Sequence, residues 1–188
     1  MECIFLANGT NRQPASALLL AATEKHILDT EVLWHPYPGI AEEDDAVWNW
    51  YRKVRLYGTD PGIEIWAIEC DEATQGLMML RSQGYRSWVA SSQRIVYIDF
   101  LATAPWNRPS VQNPPRYRLV GSILLRYARV RSEELGLRGA VGLHALPSSE
   151  AFYRKQGMVD WGQDVEYQNL RYFEWYRRTA EDEYEYEP

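Results

Sequence analysis

The chain has 188 residues, a length that fits one domain with a sizeable core. Its hydrophobic content of 46% and charged content of 24% are typical of a soluble globular protein. The sequence contains no apolar run near the roughly 20 residues that a membrane helix requires, so no membrane partner is predicted. Cys3 and Cys70 are its two cysteines, too few for a disulfide framework, and we expect a cytoplasmic protein.

The net charge of −6 arises mostly at the C-terminal end. Residues 179–188, "TAEDEYEYEP", contain five acids and no base, which leaves 20 basic and 21 acidic residues elsewhere. We expect this segment to be a solvated acidic tail and residues 1–178 to be a single domain. No basic stripe of the kind that nucleic-acid binding requires is present, so nucleic acid is not a predicted partner.

The first part of the chain predicts helices after one short strand. "CIFLA" at 3–7 is a candidate strand. Residues 15–29 have the periodicity of a helix. The residues on its apolar face are Ala17, Leu20, Ala21 and Leu28. We predict a second helix at 41–58, because its acidic first turn suits the helix dipole and Gly58 would end it.

Strands are predicted next, at 62–70 and 76–83, and a polar turn joins them into a hairpin. Residues 94–104 form a nearly continuous apolar run, typical of a central strand buried on both faces. The remaining predicted elements are a helix at 120–135, a strand at 140–146, a short helix at 148–156 and one or two strands within 165–176. This order indicates an α+β (mixed α/β) fold with one central crossover.

The segment "RYRLVGSILL" at 116–125 has the features of an anion site. The N–H groups and the dipole of a helix N-terminus attract anions. Gly121 permits a close approach, Ser122 adds a hydroxyl, and Arg116 and Arg118 add positive charge. A solvated, arginine-bearing loop before a core helix explains the same residues equally well.

Three segments, in this order, resemble the GNAT acetyltransferase superfamily. "LATAP" at 101–105 is similar to that family's central strand motif L-A-V-x-P. "RYRLVGSILL" resembles its pyrophosphate loop, [Q/R]-x-x-G-x-G-[S/T/A]-x-L-L, and "FYRKQGM" at 152–158 is similar to its helix motif L-Y-x-K-x-G-F. The resemblance covers roughly 94–176, the acetyl-CoA-binding core, and residues 1–60 would be the variable, helical acceptor side. It implies a GNAT-like central mixed sheet flanked by helices.

The sequence departs from the family pattern at three places. Leu119 stands where the family has the first loop glycine, and an insertion at 106–115 lengthens the connection before the loop. "LPSSE" at 146–150 stands where an asparagine often precedes the last helix. These departures motivate an alternative to an enzyme, a non-catalytic acetyl-CoA-binding module that regulates a partner.

The resemblance implies acetyl-CoA as co-substrate, with no metal. Its pantetheine arm would pair with the main chain of Leu101 and Thr103. The residues implied to bind its pyrophosphate are Arg116, Arg118, Leu119, Val120, Gly121 and Ser122. The implied reaction is direct attack on the acetyl group by a primary amine, carried by a small-molecule or peptide acceptor.

Tyr153 fills the position of the family's tyrosine, which implies a general acid for the departing CoA thiolate. The competing interpretation is an aromatic side chain that packs its short helix on the sheet. Asp99 stands alone in an apolar strand, where an unpaired carboxylate would be costly. By resemblance it would be the base that deprotonates the acceptor, and the alternative is a structural partner of an arginine.

His144 is a second candidate base, because an unperturbed imidazole has a pKa of about 6.5. A satisfied core histidine is the other interpretation. His26 and His35 have no metal-ligand spacing, so we predict no metal site. Aromatic residues of the first 60 positions are expected mostly in the core, and some of them, with the acids at 42–45, would line an acceptor pocket that favours a cation. These aromatics are Trp34, Trp48, Trp50, Tyr51 and Tyr57.

Overall fold

A computed structural model describes residues 1–176, and the predicted tail at 179–188 lies outside these residues. Nine strands form one mostly antiparallel sheet in the order β6-β1-β2-β3-β4-β5-β7-β9-β8, with β5 and β7 parallel. The strands are β1 (Glu2–Asn8), β2 (Pro14–Ala21), β3 (Ile63–Cys70), β4 (Ala73–Arg81), β5 (Val96–Thr103), β6 (Tyr117–Arg118), β7 (Val141–Ala145), β8 (Val159–Asp164) and β9 (Leu170–Trp175). The predicted α+β class is confirmed.

Helices flank the sheet. They are α1 (Glu24–Asp29), α2 (Trp50–Tyr57), α3 (Val120–Glu134) and α4 (Glu150–Lys155), and a π-helical turn (Thr30–Trp34) follows α1. Among the described residues, none of these helices has both the length and the apolarity that crossing a membrane requires.

The predicted helix at 15–29 is wrong for its first half, because residues 14–21 form β2. Ala17 and Leu19 are buried in alternation with more exposed neighbours, which is the period of a strand. β2 pairs with both β1 and β3, so sheet pairing overrides the helix propensity of alanine and leucine. The helix starts only at Glu24, and Leu28, expected on the apolar face, is 56% exposed.

The predicted helix at 41–58 is also shorter in the structure. A 3-10 turn occupies Ile40–Glu42, and α2 begins at Trp50, where the Asn49 side chain caps it by accepting from the Arg52 N–H. The acidic run before Asn49 belongs to a loop, because Glu43 and Asp45 bind the guanidinium of Arg108. The predicted end at Gly58 is confirmed.

Of the last two strands, β9 lies within the predicted range 165–176, but β8 begins before it. β8 occupies Val159–Asp164, before the predicted range, and residues 165–169 form the turn to β9. The side chains of β8 alternate between exposed and half-buried, so the strand carries no apolar run that would reveal it.

The chain divides into two compact units. Among the described residues, the first comprises 1–80 and 99–126, and the second comprises 81–98 and 127–176. The core of the first unit is built on Leu77 and Met79 of β4 and on the indoles of Trp34 and Trp50. In the second unit, β7 lies between β5 and β9, and Val141 and Leu143 are at most 1% exposed.

Candidate functional site

The turn between β6 and α3 keeps the backbone of a glycine-bearing loop. Leu119, which replaces the family's first loop glycine, has φ +74°, in the left-handed region that favours glycine. Its side chain is 53% exposed, so it does not fill the space beneath the turn. Leu119 therefore differs from the family's glycine in its side chain, but its backbone has the conformation that a glycine there would have.

This turn is held from one side by β1. Ala7 pairs with Arg118 and Asn8 pairs with Tyr117. Gly9 donates its N–H to the carbonyl of Arg116 at 2.9 Å. A Cβ on Gly9 would lie 1.5 Å from the carbonyl oxygen of Pro115, so only glycine permits this approach.

On the other side, the strand before the turn is tied to Gln75 through Asn107, whose Oδ1 accepts from the Tyr117 N–H at 2.9 Å. Gln75 is fully buried on β4. Its Nε2 donates to the carbonyls of Cys70 and Ala73 at 2.9 and 3.1 Å. Its Oε1 accepts from the Trp106 indole at 2.8 Å and from the Asn107 amide at 3.0 Å. All four hydrogen bonds that a glutamine amide can make are satisfied, and the insertion at 106–115 is anchored through them.

Gln75→Ala is expected to lower the free energy of unfolding by about 2–3 kcal/mol, because it leaves buried indole and amide donors unsatisfied. Urea unfolding followed by circular dichroism would measure the change. Gln13→Ala, at an exposed position, is the matched control and should change stability by less than about 0.5 kcal/mol. Equal values for the two variants would contradict the anchoring role of Gln75.

The first turn of α3 provides the donors that an anion requires. The N–H groups of Val120, Gly121 and Ser122 have no acceptor within the helix, by helix geometry. Val120 and Gly121 are buried and Ser122 is half-buried. On β4, a Cβ at Gly76 would lie 2.6 Å from Cγ1 of Val120, so that glycine lets α3 pack closely on the sheet. The position of the helix N-terminus is thus fixed by its contacts.

The two arginines before the turn differ in their surroundings. Arg116 donates to Asp71 at 3.0 Å, and the Tyr117 hydroxyl donates to the same carboxylate. The hydrogen bond from Tyr117 is the main cause of a lowered pKa at Asp71. Asp71 and Glu72 form the β3–β4 turn, both with positive φ. Arg116 would have to leave Asp71 to reach an anion, whereas Arg118 lies exposed on β6.

The main chain of β5 has a defined orientation at its C-terminal end. The Ala104 N–H donates to the carbonyl of Gln75 on β4 at 2.9 Å. Because successive residues of a strand point their main-chain groups to opposite sides, those of Leu101 and Thr103 point away from β4. The carbonyl of Thr103 accepts two N–H groups of Arg108, at 2.9 and 2.7 Å. At Thr103, therefore, the N–H could bind a pantetheine arm, whereas the carbonyl is already occupied by Arg108.

β5 is not buried on both faces along its whole length, contrary to the prediction for 94–104. Val96, Tyr97 and Ile98 are buried, but Asp99 is half-buried, as are Phe100 and Leu101. Because Asp99 is only half-buried, its carboxylate does not carry the full desolvation free energy of a buried charge.

A lysine that the sequence did not single out lies beside this part of β5. Lys53 Nζ is 3.2 Å from the ring centroid of Phe100 and 4.7 Å from that of Trp48. Burial lowers the pKa of Lys53 to about 8, and the charges of Asp99 and Asp45 oppose this shift. A cation of the chain itself therefore lies against two of the aromatic rings of this region.

In the second unit, His144 borders a cavity of ≈ 430 Å³. Aromatic and charged side chains line it, namely Tyr85, Arg86, Trp88, Tyr97, His144, Asp164, Glu166, Tyr167 and Tyr172. Tyr85 stacks on Tyr97 at 3.9 Å, and His144 stacks on Tyr167 at 4.0 Å between ring centroids. Flat aromatic faces and carboxylates are the surroundings that an organic cation prefers.

Both ring nitrogens of His144 have partners. Nε2 lies 3.0 Å from the carboxylate of Asp164, and Nδ1 lies 2.6 Å from the hydroxyl of Tyr97. Because a carboxylate only accepts, Nε2 carries the proton and Nδ1 accepts from the Tyr97 hydroxyl. Burial lowers the pKa of His144, and Asp164 partly opposes this, so the ring is neutral at pH 7. A proton would reach His144 through Tyr97.

The loop that carries Trp88 is tied to β9 by a buried carboxylate. Glu174 is 0% exposed and accepts from the Ser87 hydroxyl, the Trp88 N–H and the Tyr172 hydroxyl. Trp88 also stacks on Tyr172 at 4.3 Å. These contacts fix one wall of the cavity.

Tyr153 lies on α4 and is 6% exposed. Its ring centroid lies 5.7 Å from that of Phe173 on β9 and 5.1 Å from that of Phe152. The predicted packing of the helix on the sheet is therefore present. A role for its hydroxyl in proton transfer stays a prediction, because a packed ring can still carry a hydroxyl that donates a proton.

Solved structures share this fold. An acetyltransferase from Thermus thermophilus matches at TM-score 0.57 and 15% identity, covering 85% of this chain and 96% of its own. The aminoglycoside N-acetyltransferase AAC(6')-Iy in complex with CoA matches at TM-score 0.57 and 12% identity, over 89% and 98% of the two chains. A Desulfovibrio desulfuricans protein described as of the GNAT family matches at 0.58 and 11%, over 84% and 96%. No protein-family model and no curated protein matches the sequence.

Proposed function

We propose that this chain, which has the fold of the GNAT acetyltransferases, is an N-acetyltransferase that moves an acetyl group from acetyl-CoA to a primary amine. The observation that carries the proposal is the left-handed turn at Leu119, which opens directly onto the first turn of α3. A turn of this kind presents backbone N–H groups to a phosphate. Such a site suits the pyrophosphate of acetyl-CoA.

In this proposal the pyrophosphate lies on the N–H groups of Leu119, Val120 and Gly121, with the hydroxyl of Ser122 beside it. Arg118 supplies charge from β6, and Arg116 joins only by exchanging Asp71 for the phosphate. The pantetheine arm pairs with the main chain of Leu101 and with the N–H of Thr103. Matches crystallised with CoA support the choice of cofactor.

The acceptor, a small-molecule or peptide amine, loses a proton to the hydroxyl of Tyr97 as that hydroxyl passes its own proton to His144. Asp164 holds His144 in the required tautomer. Asp99 is the alternative base, although its charge also acts on Lys53. Tyr153 gives a proton to the thiolate of CoA as the C–S bond breaks.

Acetyl-CoA is expected to raise the melting temperature, because a ligand that binds only the folded chain stabilises it. At 100 times its dissociation constant the gain is about 2.7 kcal/mol. Arg118→Ala should weaken binding of acetyl-CoA but not of pantetheine, which lacks the pyrophosphate. If millimolar acetyl-CoA leaves the melting temperature unchanged, the proposed cofactor is ruled out.

Catalysis is tested separately, by thiol release from acetyl-CoA with spermidine, an aminoglycoside, an amino acid and a peptide N-terminus as acceptors. Amine-dependent release supports the enzyme. Binding without release for any of these amines would favour the alternative, a non-catalytic acetyl-CoA-binding module.

A further inference from the structure

The chain contains three lysines, and their surroundings differ. Lys25 donates to Glu69 at 2.7 Å and to Asp29 at 3.0 Å, and although burial acts the other way, these bonds raise its pKa. Lys155 lies exposed at the end of α4. Lys53 is the half-buried one, with its ammonium over two aromatic rings.

Lys53 lies beside the strand along which the proposed cofactor would run. From the helix N-terminus at Val120, the pantetheine arm would run along β5 from Thr103 to Leu101. The next residue of the strand is Phe100, and the Nζ of Lys53 is 3.2 Å from the centroid of its ring. Adjacent residues of a strand are separated by about 3.3 Å, so the residue that Lys53 contacts is the immediate neighbour of the one expected at the end of the pantetheine arm.

We propose that Lys53 is itself an acetyl acceptor, modified by the acetyl-CoA bound along β5. This inference rests on the proposed function. The lone pair of Nζ attacks the thioester carbonyl carbon, the C–N bond forms, and the C–S bond breaks. The proton that Nζ loses ends on the departing thiolate, so the products are an acetylated lysine and CoA with a free thiol.

The surroundings of Lys53 favour this reaction. An amine attacks only in its neutral form, and a pKa of about 8 leaves roughly one tenth of Lys53 neutral at pH 7. A lysine with the ordinary pKa of about 10.4 is neutral in roughly one part in 2,500. Asp99 and Asp45 are the carboxylates whose charges act on Lys53, and Asp45 is already bound to the guanidinium of Arg108.

The test incubates the purified full chain with acetyl-CoA at pH 7 and measures acetylation of each lysine by peptide mass spectrometry. We expect Lys53 to react at least on the order of 10-fold faster than Lys155, since a pKa of about 8 makes the neutral amine about 100-fold or more commoner than the ordinary lysine pKa does. Lys53→Arg should remove this product, and Lys155→Arg, the matched control, should leave it unchanged. Faster modification of Lys25 or Lys155 would overturn the proposal.

S-acetyl-N-acetylcysteamine, a thioester without the nucleotide, separates delivery from simple reactivity. With this probe, the ratio of Lys53 acetylation to Lys155 acetylation should fall. An unchanged ratio would contradict the proposal that bound acetyl-CoA delivers the acetyl group to Lys53. A melting-temperature shift with acetyl-CoA but an unmodified Lys53 would refute the present inference and leave the proposed function standing. An unchanged melting temperature together with an unmodified Lys53 would refute both this inference and the proposed function.

The pH dependence gives a second readout. The acetylation rate of Lys53 should rise up to about pH 8 and then level off, because its amine is neutral above that pKa. A rate that keeps rising toward pH 10 would identify an ordinary lysine and contradict the proposal.

Discussion

Tyr153→Phe is expected to lower turnover by about 10²–10⁴-fold, the usual contribution of a general acid. The variant keeps the ring that lies 5.7 Å from Phe173, so α4 should stay packed on the sheet. Only the hydroxyl is lost, and the proposed role of that hydroxyl is late, when the CoA thiolate departs. Turnover should therefore fall while the affinity for acetyl-CoA is largely kept.

The measurement is thiol release with the best amine of the panel, together with the acetyl-CoA melting-temperature shift for both proteins. Phe152→Leu is the control on the same helix, since it changes packing beside Tyr153 without touching the phenol. If Tyr153→Phe releases CoA at the wild-type rate, Tyr153 is a packing residue, and another donor such as water protonates the thiolate.

His144→Gln is expected to have a comparable effect on turnover, about 10²–10⁴-fold. Glutamine fills much of the same space, but it cannot take the proton that Tyr97 passes to Nδ1. Tyr97→Phe removes the other end of this path and should cause a similar loss. Because the two groups act as a unit, the double variant should be little worse than the poorer single variant.

The pH profile distinguishes this path from a purely structural role. Burial holds the pKa of His144 below 6.5, so the rate should fall on the acid side only below that pH, where the ring becomes charged. Asp164 raises the same pKa, and Asp164→Asn should therefore move the acid limb to still lower pH. Additive losses in the double variant, or an acid limb that Asp164→Asn does not move, would place the base elsewhere, with Asp99 as the next candidate.

The long helix and the strand after it could be predicted from the sequence because their signals are local. The helix at 120–134 has its own apolar face, and the strand that becomes β7 is a short apolar run between turns. β2 was missed because its alanines and leucines suit a helix equally well, and only pairing with β1 and β3 decides between them.

The candidate site could be predicted only in part. His144 was visible as a lone histidine in a strand, but its partners Tyr97 and Asp164 are 47 and 20 residues away along the chain. No spacing rule connects such residues, because register across strands brings them together. Lys53 was missed for the same reason, since its position on a helix carries no sign of the Phe100 ring beneath it.

Leu119 shows a different limit. A motif search penalises leucine at a glycine position, yet the backbone there is left-handed all the same. The two residues before it are paired with β1, and the N–H of Tyr117 is bound by Asn107 of the Gln75 network, contacts that lie outside the motif. Sequence alone cannot assess a strain of about 1–3 kcal/mol that distant contacts hold in place.

The pairing of β1 with β6 has a consequence for how the protein reaches its native state. Asn8 and Tyr117 are separated by about 110 residues, and closing so long a loop is slow and entropically costly. During synthesis, β1 leaves the ribosome about 110 residues before β6, and its second edge stays unoccupied until β6 follows. The turn proposed to bind phosphate would then become ordered only after β6 has paired with β1, and a nascent chain would gain the proposed affinity for acetyl-CoA no earlier than that.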